Sequence, residues 1–295
     1  MRNHFYKYTD IKTAKAILEN QSLRFSSPLQ FNDPFDTQNE ILTNFNMNEF
    51  PRVTMSVIEE YIKNDYPLPN PPNDFGKTIL FLREGTKSHG YKKDKIEGII
   101  LPLLTYLRDE LQNEIEKLNS SWNDSLKESR VFCMTEDNDN LLMWAHYAEN
   151  HTGAVFQLAT LAEDDNMLSA ARKVEYKTKL IAFCSLEDLI KRVLFDIEVD
   201  FSNLKYSSHS HQKSEHWSYE KEWRVVDMCH YNHKKELYVD HKFVPNQLQN
   251  IFFGCKTKPE DIEFLSKIAR TINPTIGIYQ SKKRPLEYAL DFEKI

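Results

Sequence analysis

The residues best suited to chemistry lie in one short run, His216–Val226, which reads HWSYEKEWRVV. As a strand it sends alternate side chains to opposite faces, so Glu220 and Glu222 share a face and Lys221 and Trp223 take the other. Arg224 falls on the glutamate face, within reach of Glu222 or of a bound phosphate. Two acids and an arginine on one face of an aromatic-rich strand are costly to order unless something binds there. The plainer reading is a solvated strand face whose charges pair at i, i+2.

Three further stretches look built to meet this strand. In SSPLQFNDPFD, Ser26 to Asp36, Pro34 pushes Asp33 out of the helical region and fixes a turn. Phe31 and Phe35 are expected to pin that loop while Asn32, Asp33 and Asp36 stay polar, either as turn chemistry or as the lining of a polar pocket. The helix expected at Leu141–Glu149 carries Trp144, His146 and Tyr147, with His151 and Gly153 just beyond. A lone helix histidine is more often a satisfied core residue than a ligand. Finally HSHQKSEH places His209, His211 and His216 close together, yet the spacing fits no named zinc pattern and no cysteine is nearby. A mobile loop over Asp200–Ser214, poised to close on a ligand, is the expectation there.

Composition narrows the field. The chain has 295 residues, 40% hydrophobic and 28% charged, an ordinary soluble balance long enough for a sizeable core. Glycine is scarce, 7 in all, and neither GxxxxGK[ST] nor GxGxxG occurs, which argues against P-loop and Rossmann nucleotide sites. A net charge of −6 argues against a broad nucleic-acid footprint. The four cysteines form no CxxC pair; Cys133, Cys184 and Cys255 sit in apolar runs and read as reduced core residues. MRNHFYKYTD shows no signal segment and no apolar run reaches about 18 residues, so a cytoplasmic protein with no membrane contact is expected.

The elements that must position these residues follow from patterning. Strands are expected at His4–Tyr8, Leu23–Phe25, Arg130–Thr135, Ala154–Leu158, Glu236–Val239, Gln249–Gly254, Thr275–Gln280 and Leu286–Leu290, with a strand pair in Ala170–Phe183. Helices are expected at Ile11–Asn20, capped by Thr9-Asp10, at Leu186–Phe195, and from a capping box at Thr257–Glu260 to Thr271. Residues 45–129 read as a helical insertion, with amphipathic helices at Met55–Asn64 and Ile96–Leu118, a proline-rich loop at Tyr66–Phe75 and a basic connector at Lys87–Lys95. The whole, residues 1–295, is expected to be a single α+β domain with a mainly antiparallel or split sheet.

In order, YKYTD, FNDPFD, LLMWAHYAENHTG and WSYEKEWR resemble a bacterial family of unknown function, DUF2971, across nearly the whole chain. The resemblance implies a grouping but no activity. A second resemblance is to the ADP-ribosyltransferase superfamily. Tyr6-Lys7-Tyr8-Thr9 followed by AKAILENQSLRFS is similar to its opening strand, helix and short strand, and Glu220-Lys221-Glu222 to its Glu-x-Glu strand. The sequence departs from that pattern where Lys7 stands in place of His or Arg, where no glycine follows, and where no Ser-Thr-Ser follows the middle strand.

That second resemblance implies an ADP-ribosyltransferase-like fold and NAD as substrate, used by an ADP-ribosyltransferase or an NAD glycohydrolase. Glu222 would hold the nicotinamide ribose and stabilise its developing charge, and Glu220 would take the proton of the acceptor. Lys7 and Arg224 would contact the pyrophosphate or ribose, and Trp144 or Tyr147 the nicotinamide. Tyr8, Asn32, Asp33, Asp36 and His146 complete the expected cleft for a nucleotide ligand. A protein or nucleic-acid acceptor is compatible with this reading. Two other classes stay open. Asp33, Asp36, Glu220 and Glu222 could hold Mg²⁺ in a phosphodiesterase or nuclease. A non-catalytic nucleotide- or partner-binding module, of the kind found in bacterial conflict or phage defence, is the other.

Overall fold

The structure is a computed structural model describing residues 3–37, 46–161, 167–180, 184–198, 209–228 and 236–295. Cys229, residues 181–183 and most of the expected 200–214 loop lie outside these. The chain divides into two compact units. One comprises residues 1–39, 126–179 and 209–295; the other comprises 40–125 and 180–208.

The first unit is mixed α+β, and its strands are β1 (His4–Thr9), β2 (Ser22–Ser26), β3 (Ser129–Thr135), β4 (Ala154–Ala159), β5 (Arg172–Lys173), β6 (Glu175–Lys177), β7 (Gln212–Ser214), β8 (Glu222–Met228), β9 (Tyr238–Lys242), β10 (Leu248–Phe253), β11 (Gly277–Lys283) and β12 (Leu290–Lys294). Among the described residues a ten-stranded sheet runs β12-β11-β10-β4-β1-β3-β2-β9, with β8 on β3 and β5 on β8. Its pairs are antiparallel except β10–β11. β6 and β7 form a separate parallel pair.

Period-2 alternation sorts the sheet's side chains into two faces. On one face Phe5, Phe25, Phe132, Phe156, Val225, Ile251 and Phe253 form a continuous core. The helix α1 (Ile11–Asn20) contributes Ala14, Ile17 and Leu18, whose spacing gives the apolar stripe that this face requires. Asp10 caps α1 by accepting from the Thr13 amide. On the opposite face Tyr8, Val155 and Phe252 pack against Met143, Trp144 and Ala148, of which the first two lie in the helix Leu141–Tyr147.

The second unit is helical, with α2 (Phe50–Lys63), α3 (Asp74–His89), α4 (Lys93–Ile100) and α5 (Leu104–Glu128), the last ending in the first unit. The expected helix over 96–118 is divided, because Pro102 shifts Leu101–Leu103 into a 3₁₀ turn between α4 and α5. The helix Leu141–Tyr147 is α6, Leu186–Phe195 is α7 and Pro259–Ile272 is α8. α8 lays Leu265 and Ala269 on the same core face as α1. At the C-terminus, Leu286 takes a left-handed turn (φ 62°) and the strand begins only at Leu290, later than patterning predicts.

Two features open a gap in the sheet. β8 pairs along all of β3, from Ser129↔Met228 to Thr135↔Glu222. On its other edge β3 meets β1 only at Thr135↔Tyr6 and β2 only at Val131↔Ser26. Between them the Cys133 carbonyl accepts a hydrogen bond from Lys7 Nζ at 2.9 Å.

The turn after α6 is locked by close backbone packing. Glu149, Asn150 and His151 all have positive φ, and a Cβ on Gly153 would lie 2.2 Å from the Thr9 carbonyl oxygen. A Gly153→Ala variant is expected to lose about 2–3 kcal/mol of stability through overpacking, read as a fall in thermal midpoint with the fold retained.

Candidate functional site

The expected straight strand through His216–Val226 is instead a 3₁₀ turn, Glu215–Glu220, followed by β8 from Glu222. The residue between them, Lys221, is left-handed (φ 44°, ψ 48°), so the chain reverses its course between the two glutamates. Four contacts hold this corner. Thr135 Oγ1 donates to the Glu220 carbonyl at 2.6 Å, and Asn140 Nδ2 to the Tyr219 carbonyl at 2.7 Å. The Glu222 amide donates to Tyr176 Oη at 2.8 Å, and Lys221 Nζ to Asp137 at 2.7 Å. The acidic turn after β3 therefore anchors the corner as well as capping α6, whose first free amides are taken by Asn140 Oδ1.

Within β8, Glu222 and Arg224 share a face as alternation requires, while Val225 joins the core on the other. Arg224 is fully buried and spends all five guanidinium N–H groups. Nε donates to Glu222 Oε1 at 2.8 Å; Nη1 donates to Asp36 Oδ1 and the Ser210 carbonyl, both at 2.8 Å; Nη2 donates to Asp36 Oδ2 at 2.6 Å and Glu222 Oε2 at 3.1 Å. The arginine expected to grip a phosphate has no donor left for one. It is the internal tie between the 31–36 loop and the acidic strand.

Lys213, on β7, completes the cluster. Its ammonium donates to Glu220 Oε2 at 2.6 Å and Glu222 Oε2 at 3.1 Å, and lies 3.6 Å from Asp36 Oδ2. Tyr147 Oη donates to Glu220 Oε1 at 2.6 Å. Sequence reading missed this lysine because it sat inside the supposed histidine cluster. The available signal was that two buried carboxylates need a cation, and Lys213 is seven residues before Glu220.

The two glutamates are driven apart. Burial pushes Glu220 above the ordinary carboxyl range, opposed by Lys213 and reinforced by the charge of Glu222. Burial acts the same way on Glu222, but Arg224 and Lys213 outweigh it and hold that carboxyl well below the ordinary range. Burial also raises the Tyr147 phenol, with the Glu220 charge adding to it, and pushes Tyr176 up to about 12.

This cluster floors a cavity of about 300 Å³ at the gap in the sheet. Tyr6, Lys7 and Tyr8 come from β1, Arg24 and Ser26 from β2, Phe31, Asn32 and Asp36 from the loop after β2, and Val131, Cys133, Met134 and Thr135 from β3, with Met143 and Tyr147 on α6. Of the residues expected around one cleft, Lys7, Tyr8, Asn32, Asp36, Tyr147, Glu220 and Glu222 line it. Asp33 does not; its Oδ1 accepts from the Phe35 amide as turn chemistry. Phe35, expected to pin the loop, is 63% exposed. Trp144 is fully buried, its indole donating to the Asn138 carbonyl and its ring stacked on His151. His146 is exposed, beside Tyr147 and Tyr219. Among the described residues no group of three or more His, Cys, Asp or Glu side chains is arranged to hold a metal ion. His211 instead bonds to Ser210 Oγ and lies 3.4 Å from the Arg224 carbonyl.

Residues 143–225 match the family described as "Protein of unknown function (DUF2971)". No curated protein and no solved structure matches the chain. The DUF2971 segment includes Tyr147, Lys213, Glu220, Glu222 and Arg224, which is most of the buried cluster. No helix among the described residues is long and apolar enough to cross a membrane.

Two outcomes test the electrostatics. Arg224→Met leaves Asp36 and Glu222 buried without their main partner, and is expected to cost about 3–5 kcal/mol. Glu220 and Glu222 are expected to give opposite pH dependences. A carboxyl raised on folding adds stability below its unfolded value, near pH 4, and loses it as pH rises through the folded value. A lowered one adds stability above about pH 4 and loses it as pH falls through the folded value. As pH rises above about 4, Glu220→Gln should gain on wild type; as pH falls below about 4, the deficit of Glu222→Gln should shrink, as urea denaturation at stepped pH would read.

Proposed function

We propose that this cleft binds a nucleotide and cleaves an N-glycosidic bond, with NAD as substrate and either water or another molecule as ribosyl acceptor. The observation that carries the reading is a pair of buried carboxylates lining one cavity in unlike settings, Glu222 held by Arg224 and Lys213 and Glu220 held between Lys213 and the Tyr147 hydroxyl, which drives their proton affinities apart. Glu222 remains an anion against Arg224 and Lys213 and suits stabilisation of a ribosyl oxocarbenium. Glu220 exchanges a proton more readily and suits the acid–base role, with Tyr147 orienting it.

In the step itself, the bond from ribose C1′ to the pyridinium nitrogen breaks and its electron pair neutralises that nitrogen, releasing nicotinamide. The oxocarbenium is captured by an acceptor hydroxyl, whose proton passes to Glu220. Tyr6, Tyr8 and Phe31 offer ring surfaces. Lys7 and Arg24 line the same cavity and supply positive charge for phosphate oxygens, although Arg24 already pairs with Asp240 at 2.9 Å. A volume near 300 Å³ suits a ring and its sugar, with the remainder of a dinucleotide over the mouth.

Metal-assisted phosphodiester cleavage is less well supported. Asp36, Glu220 and Glu222 do converge, but their oxygens are already committed to Arg224 and Lys213.

Wild type incubated with NAD and a cell lysate as acceptor source is expected to release nicotinamide. Glu222→Gln is expected to slow that release about 10²-fold or more. Equal release from both proteins, or none from wild type, overturns the reading.

A further inference from the structure

The buried cluster is unbalanced. Three carboxylates, Asp36, Glu220 and Glu222, face two cations, Lys213 and Arg224, and all five side chains are nine-tenths buried or more. An odd charge held away from water is expensive, so these five side chains are neutral together only if one carboxyl carries a proton. Geometry selects which. Glu222 is pinned by Arg224 through both oxygens, and Asp36 is held bidentately by the same guanidinium. Glu220 has no contact with Arg224 among these bonds; it meets Lys213 on one oxygen and the Tyr147 hydroxyl on the other. It also lines the cavity.

The other titratable groups around Glu220 do not change this count. Tyr147, Tyr176 and Tyr219 all have raised phenols, through burial first, and stay neutral. Burial likewise keeps the Cys133 thiol protonated. Lys7 lines the same cavity but is only half-buried, its ammonium on the Cys133 carbonyl and in no ion pair with the three carboxylates among these bonds, and Arg24 is balanced by Asp240. His211 is turned to Ser210 and to the backbone carbonyl of Arg224.

We propose that the cavity takes a flat organic cation of pyridinium size, and that its entry displaces one proton from Glu220 to solvent. One positive charge enters as one leaves, so the buried site stays neutral. The lining also includes Tyr6, Tyr8 and Phe31, and the Phe31 ring already lies 5.3 Å from the Arg224 guanidinium carbon, an aromatic setting of the kind that accommodates cations. This deepens the proposed function, on which it rests. The nicotinamide end of NAD carries a positive ring nitrogen, and its arrival would leave Glu220 ionised and ready to accept the acceptor's proton.

The probe is 1-methylnicotinamide, methylated on the ring nitrogen and so a pyridinium with no ribose and no glycosidic bond to cleave, compared with neutral nicotinamide. Titration calorimetry of wild type in two buffers of different ionisation enthalpy is expected to show the cation binding at least tenfold tighter, with about one proton released. Over the range in which Glu220 titrates, cation affinity should rise about tenfold per pH unit and then level, while nicotinamide affinity stays flat. Glu220→Gln should abolish the pH dependence and narrow the preference to within a few-fold. Equal binding of the two probes, or tighter cation binding with no proton release, overturns the proposal. Cation binding with proton release in a protein that releases no nicotinamide from NAD supports it while overturning the glycosidic reading.

Discussion

One side chain organises this site. Arg224 sits at the centre of β8, out of reach of solvent, and every donor it owns is used on Asp36, Glu222 and the Ser210 carbonyl. An arginine can be buried only where its planar fork is matched bond for bond. Satisfying it fixes the loop that ends at Asp36, the segment that leads into β7, and the first turn of β8 relative to one another. The positions of Glu222 and Lys213 follow from this, and so does the shape of the cavity floor.

The contrast between the two glutamates comes from backbone geometry. Had the strand continued unbroken, Glu220 and Glu222 would have stood two residues apart on the same strand face. The left-handed Lys221 instead lifts Glu220 out of the strand, away from the guanidinium and toward Tyr147. Two like residues two positions apart thereby acquire opposite proton affinities.

Much of the fold was legible because its signals are local. α1 announces itself by Asp10 and its apolar stripe, and the central strands by alternation. The grouping of Lys7, Asp36, Tyr147, Glu220 and Glu222 around one cavity was legible from residue type and motif. What was not legible depended on three-dimensional closure. Nothing local to β7 marks Lys213 as buried, and nothing in the pattern EKE reveals the left-handed residue at its centre. Trp144 looked like a ligand platform, yet an indole with its N–H satisfied by a nearby carbonyl is core. Asp33 and Asp36 are alike in sequence; the turn geometry hands one to the loop's own amide and the other to Arg224.

The gap along β3 has a further consequence. A sheet ordinarily leaves unpaired backbone only at its outer edges, where a foreign strand can align and extend it. Here the interruption is interior and spans the few residues between Val131 and Thr135, with Lys7 already seated on the Cys133 carbonyl. An extended peptide needs several consecutive residues to gain a ladder and finds too few. A flat small molecule needs only one peptide group's width. The discontinuity is therefore too short for an added strand to extend a ladder there.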